Sequence, residues 1–175
     1  MNGLAMPELP MPELPADPPR HADERDTLAG FLDLQRGVML RKVAELDDES
    51  LRRAMTPSGL TLLGMLKHLA YVERWWFRAV FAGEDVTFPW TDDDPDADWR
   101  AEPEESVDTI AALYRDECAR AREIVAAASL DDTCTTTQGD SITLRWVVAH
   151  MIEETARHLG HADIMREAID GATGD

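Results

Sequence analysis

An all-α fold built from four long helices is what this sequence predicts, and three observations predict it. Four long segments carry apolar side chains at steps of three and four, which is the repeat of one helical face. No stretch shows the alternation that marks a half-buried strand. The segments are joined by connections of mixed length, as in a helical bundle with both short and long crossovers.

Residues 1–22 stand apart from that pattern. Met-Pro-Glu-Leu-Pro occurs twice and Ala-Asp-Pro-Pro follows. Proline at this density lacks the N–H groups that helices and sheets need, so a disordered, extended tail is expected there. The domain proper is expected over residues 23–172. Its first helix begins near Asp23 or Asp26, either of which can cap, and Leu28, Phe31, Leu32, Met39 and Val43 set its inner face to about Leu46. Asp47 to Ala54 reads as a short helical turn, and Thr56-Pro57-Ser58-Gly59 as a break.

The second long helix runs from about Thr61 to Phe81, with Met65, His68, Leu69, Val72, Trp75 or Trp76, and Ala79 inward, and Gly83 stops it. Residues 83–105 form a long acidic loop, and a connection of that length inside one domain is often functional. Its run Asp92-Asp93-Asp94, with Asp96 and Asp98, lacks the glycine and terminal glutamate of a calcium loop and reads as solvated. Trp90 and Trp99 on the same loop are core anchors or the lip of a pocket. The third helix spans about Ser106 to Ala128. A polar connection follows, and the fourth helix runs from Ser141 or Thr143 to Ile169, with Gly171 in the place of a C-terminal cap.

Composition removes several functions. The 175 residues carry a formal net charge of −18, which repels nucleic acid and anionic membrane surfaces alike. No apolar run is long enough to span a bilayer. The N-terminus shows no basic region followed by an apolar core, so the cytoplasm is the expected location. Cys118 and Cys134 then read as reduced thiols, and neither has an evident histidine partner to activate it.

The chemistry concentrates in His150-Met-Ile-Glu-Glu-Thr-Ala-Arg-His158-Leu-Gly-His161. At about 100° per residue, Val147, Met151, Glu154, Ala162 and Met165 all fall within about 40° of His158. Glu153 points about 140° away and reads as solvated. Glu154 therefore shares the apolar stripe, where an unpaired carboxylate is costly and calls for a proton, a cation or a metal. His150 and His161 lie at the border of the stripe, placed either as acid–base groups or as outer donors to the ligands. With His68 on the second helix, His68, Glu154 and His158 make a two-imidazole, one-carboxylate set suited to Zn²⁺, and also to Ni²⁺ or Fe²⁺. Three protein ligands leave an open position for a substrate. A polar cluster satisfied internally, without metal, uses the same residues.

Two segments carry a family resemblance. They are Gly59-Leu-Thr-Leu-Leu-Gly-Met-Leu-Lys-His68-Leu-Ala-Tyr-Val-Glu-Arg-Trp-Trp-Phe77 and Leu144-Arg-Trp-Val-Val-Ala-His-Met-Ile-Glu-Glu154-Thr-Ala-Arg-His158-Leu-Gly-His-Ala-Asp-Ile-Met-Arg-Glu167. Together they resemble the DinB/YfiT-like superfamily, and within it the actinobacterial DinB-like branch, over about residues 24–172. The resemblance implies an up-down-down-up four-helix bundle with a divalent metal held by one histidine of the second helix and two residues four apart on the fourth. Carried over, these are His68, Glu154 and His158. Many members place histidine at the first of the paired positions; Glu154 instead resembles the His-Glu-His set of mycothiol-dependent maleylpyruvate isomerases. The resemblance thus implies a metal-dependent thiol S-transferase or isomerase that uses mycothiol or a similar small thiol against an electrophile, with His150 and His161 as candidate acid–base residues. A non-catalytic metal-binding bundle and a hydrolase acting through metal-activated water remain as alternatives. A homodimer is also open.

Overall fold

The computed structural model describes residues 8–174. It is mostly helical, and each helix starts where a side chain can accept its free N–H groups. Helix α1 (Glu24–Val43) is capped by Asp23, with acidic residues in its first turn and Arg41 and Lys42 in its last, matching the helix dipole. Asp47 caps the single turn α2 (Asp48–Leu51), which buries Leu51. Thr61 caps α3 (Leu62–Glu73), and the same helix continues as a π-wound segment through Arg74–Phe81. Ser106 caps α4 (Val107–Ala127). Thr143 caps α5 (Leu144–Asp170), and Gly171 closes it in the left-handed conformation at φ 80°.

The long helices pack chiefly in two pairs, α3 against α4 and α1 against α5, and α3 also touches α1 and α5. Two apolar clusters fill the interior. One is built around Met39, Leu62, Met65, Leu69, Ile110 and Met165, the other around Leu32, Phe77, Leu144, Val147 and Met151. Among the described residues no helix is long and apolar enough to cross a membrane.

Three features differ from the sequence-based expectation. A two-stranded antiparallel hairpin pairs β1 (Thr133–Thr135) with β2 (Ser141–Thr143), where no strand was expected. Three-residue strands are too short for an alternating pattern to show, and the hairpin is set by its turn, in which Thr136 N–H donates to the Asp140 carbonyl at 2.8 Å and Gly139 takes φ 90°. The π-wound segment shifts the phase of the second long helix, so that Phe77 is the fully buried aromatic while Trp75 and Trp76 are half-exposed. The stripe drawn through Trp75 or Trp76 and Ala79 assumed regular α-helical winding.

The tail expected to be disordered is, over residues 8–20, extended and seated along α1. Leu9 is buried and its carbonyl accepts from Glu45 N–H at 2.8 Å; the Pro12 carbonyl accepts from Arg41 at 2.6 Å. Gly37 and Gly30 leave room for the rings of Pro15 and Pro19, which a Cβ at either position would overlap. Proline forbids a helix here but leaves apolar rings that approach α1 closely where glycine leaves room. The remaining tail residues, 1–7, lie outside the described part of the chain.

Candidate metal centre

The neighbouring helices α3 and α5 bring together His68, from the middle of α3, with Glu154 and His158, one turn apart on α5. One ligand-capable atom of each residue lies within 4.8 Å of the other two. Glu154 Oε1 is 3.0 Å from His158 Nε2 and 3.7 Å from His68 Nε2. His68 and Glu154 are half-buried and His158 is buried. Burial holds the His158 imidazole below its usual range, against the opposing pull of Glu154. For Glu154, burial raises the pKa, but the hydrogen bond and charge of His158 and the charges of His68 and His150 outweigh it, and the carboxyl titrates below its usual range. A neutral His158 imidazole beside an ionised Glu154 carboxylate is the pair of protonation states a divalent cation requires.

The surroundings of His68 come from the long connection between α3 and α4, where a single 3-10 turn, Ala97–Trp99, lies against α3. Asp98 Oδ2 is 2.7 Å from His68 Nδ1. The carboxylate selects the tautomer with the proton on Nδ1 and leaves the Nε2 lone pair facing Glu154. Trp99 stacks on the same ring, with centroids 3.6 Å apart and planes 15° from parallel. The turn is held in place by Lys67, which donates to the Arg100 carbonyl at 2.8 Å, and by the absence of a side chain at Gly64, where a Cβ would overlap the Trp99 carbonyl. Asp98 belongs to an acidic run that reads as solvated from sequence, yet it is 5% exposed and bonded to a cluster residue. The available signal was its neighbour, since an indole drawn into the interior brings the adjacent residue with it.

Two buried nitrogens, His68 Nε2 and His158 Nδ1, have no hydrogen-bond partner. Leaving a buried polar atom unpaired costs about 1–3 kcal/mol, so His68 Nε2, orphaned 3.7 Å from the Glu154 carboxylate, fits a bound cation better than an internally satisfied polar network.

His161 lies next to the cluster, its ring 6.0 Å from that of His158. His150 is held elsewhere, stacked on Trp146 at 5.0 Å and edge-on to Trp76 at 4.8 Å. Two clefts open on either side. One, of about 310 Å³, is lined by Val72, Trp75, Trp76, Trp90, Pro95 and Trp99 together with His68 and Asp98. The other, of about 520 Å³, is lined by Ser58, Gly59, Leu60, Asp96 and Arg100 together with Trp99, His158 and His161.

The chain's own thiols are not activated. Burial pushes Cys118 on α4 and Cys134 on β1 above the usual thiol range. Three arginines on or beside the ligand-bearing helices are engaged by carboxylates: Arg74 by Glu117, Arg145 by Glu24 and Asp131, and Arg157 by Glu153.

The chain is mostly helical, with a His-Glu-His cluster that could hold a metal ion between two of its helices and clefts lined by the cluster's histidines. Comparison with known families makes this specific. The chain belongs to the mycothiol-S-transferase family, whose model matches residues 27–171, a span that contains all three cluster residues. No curated protein matches the chain.

Proposed function

We propose that this protein is a divalent-metal-dependent S-transferase that uses mycothiol as its thiol substrate, on a four-helix bundle of the DinB/YfiT kind. His68, Glu154 and His158 hold the ion, with zinc the best fit to two imidazoles and one carboxylate, and nickel or iron compatible with the same set. When bound, the ion supplies positive charge that keeps a ligated thiol ionised at neutral pH. The observation that carries this reading is the partnerless His68 Nε2 facing the half-buried Glu154 carboxylate, with His158 Nε2 beside the same carboxylate oxygen. The absence of an activated cysteine agrees with a nucleophile that arrives with the substrate.

The chain's residues divide the remaining work. Asp98 fixes the tautomer and Trp99 the orientation of the His68 ring. His161, on the wall of the larger cleft, takes the thiol proton. The thiolate sulfur then bonds to the electrophilic carbon, and the bond to the leaving group breaks, its electron pair departing with that group. Mycothiol carries a polyhydroxylated sugar–inositol body, which suits the hydroxyl, charged and backbone groups of the larger cleft.

The test is mycothiol-dependent conjugation of an electrophile by the zinc-loaded protein and by His158→Ala. The reading expects the variant to lose the mycothiol-dependent rate; equal rates overturn it.

A further inference from the structure

We infer that the tryptophan-lined cleft is the electrophile's site and that it selects neutral, planar apolar molecules. This rests on the S-transferase reading and adds the class of its second substrate. The two clefts are separate spaces that share one wall, Trp99. His68 lines the smaller and His158 the larger, and their rings are 5.1 Å apart. A thiol in the larger cleft and an electrophile in the smaller one therefore reach the same cluster from opposite sides. Transfer then needs no exchange of one substrate for the other.

The lining sets the class. Four indoles, Trp75, Trp76, Trp90 and Trp99, surround the smaller cleft, and indoles offer flat, polarisable faces to planar rings. The ionisable side chains that line it are His68 and Asp98, and these bond to each other. Among the described residues no lysine or arginine lines it. A carboxylate or sulfonate entering the ion-free cleft would lose its hydration without gaining a cationic side chain, and the net charge of −18 opposes it further. Trp75 and Trp90 are braced in turn by Phe88, which stacks on Trp90 at 4.4 Å and meets Trp75 edge-on at 5.4 Å. The wall is thereby held in shape before a ligand arrives. In the transfer, carbon bonds to the mycothiol sulfur as the leaving group departs with its electron pair.

The test uses two fluorescent probes that differ by one charge. N-phenyl-1-naphthylamine is neutral; 1-anilinonaphthalene-8-sulfonate is the same skeleton bearing a sulfonate. Titration of the full chain should show the neutral probe quenching tryptophan emission by energy transfer while its own emission rises. The sulfonate should bind at least about tenfold more weakly. Trp90→Ala and Trp75→Ala, each checked for wild-type circular dichroism, should raise the Kd of the neutral probe by about tenfold, and Phe31→Ala, at an exposed aromatic of α1, should not change it. Absence of binding, equal binding of the two probes, or unchanged affinity in both tryptophan variants overturns the assignment. Neither probe needs an ion or a thiol. A protein that binds as described yet transfers no thiol would overturn the S-transferase reading alone and leave the ligand class of the cleft standing.

Discussion

Asp98 and His68 are 30 residues apart in sequence, yet a carboxylate oxygen of one lies 2.7 Å from Nδ1 of the other. The contact joins the connection after α3 to the cluster at its centre and decides which imidazole nitrogen is free. Asp98→Asn keeps the shape but removes the charge that fixes the tautomer. Zinc affinity, measured by competition with a chromophoric chelator, should fall by about 10–100-fold. In the apo-protein, nitrogen NMR should show His68 changing from a single tautomer to a mixture. An unchanged affinity with an unchanged tautomer would mean that Asp98 is only part of the packing.

The apo-protein should lose stability in acid in two stages. His158 is held below the ordinary imidazole value of 6.5, so the unfolded chain takes up that proton first, and stability falls as the pH drops below about 6.5. Glu154 is held below the ordinary carboxyl value of 4.5, so its contribution is present above that pH and is lost only as the pH falls through the lower folded value. Urea midpoints of apo wild type should therefore decline between pH 7 and pH 5.5, and His158→Gln should flatten that part of the curve. A wild-type midpoint that rises over this interval would contradict the assignment.

Arg36 on α1 and Glu73 on α3 form a buried two-pronged pair at 2.6 and 2.7 Å. Removing one partner strands a charge in the interior. Glu73→Ala should cost about 3–5 kcal/mol by chemical denaturation, and joint replacement by Arg36→Met and Glu73→Leu should recover much of that loss. If the single variant is as stable as wild type, the pair has access to water that the structure does not show.

The seated tail predicts a cost at a position that its composition would assign to solvent. Leu9 is 3% exposed within the core cluster that contains Val43 and Leu46. Leu9→Ala should destabilise the fold by about 2–4 kcal/mol. A change within measurement error would show that the tail does not rest on α1 in solution.

What the sequence made legible was whatever repeats or caps. Steps of four placed Glu154 and His158 on one face and left Glu153 outside, and Asp23, Ser106, Thr143 and Gly171 marked helix ends within a residue or two. Information carried by irregular backbone was not legible. Asp98 is indistinguishable from Asp96 by composition, and only the path of the connection buries one of them. The phase change at Arg74 and the three-residue hairpin strands leave no periodic trace. His150 and His161 lie at similar borders of the same stripe, yet they diverge because Trp76 and Trp146 take one of them up.

The most direct measurement is zinc stoichiometry and affinity for the wild type, His68→Ala, Glu154→Ala and Glu153→Ala, by elemental analysis with calorimetry. One ion per chain is expected for the wild type and Glu153→Ala, and loss of that ion at matched zinc concentration for the other two. Equal binding by all four proteins would contradict that expectation.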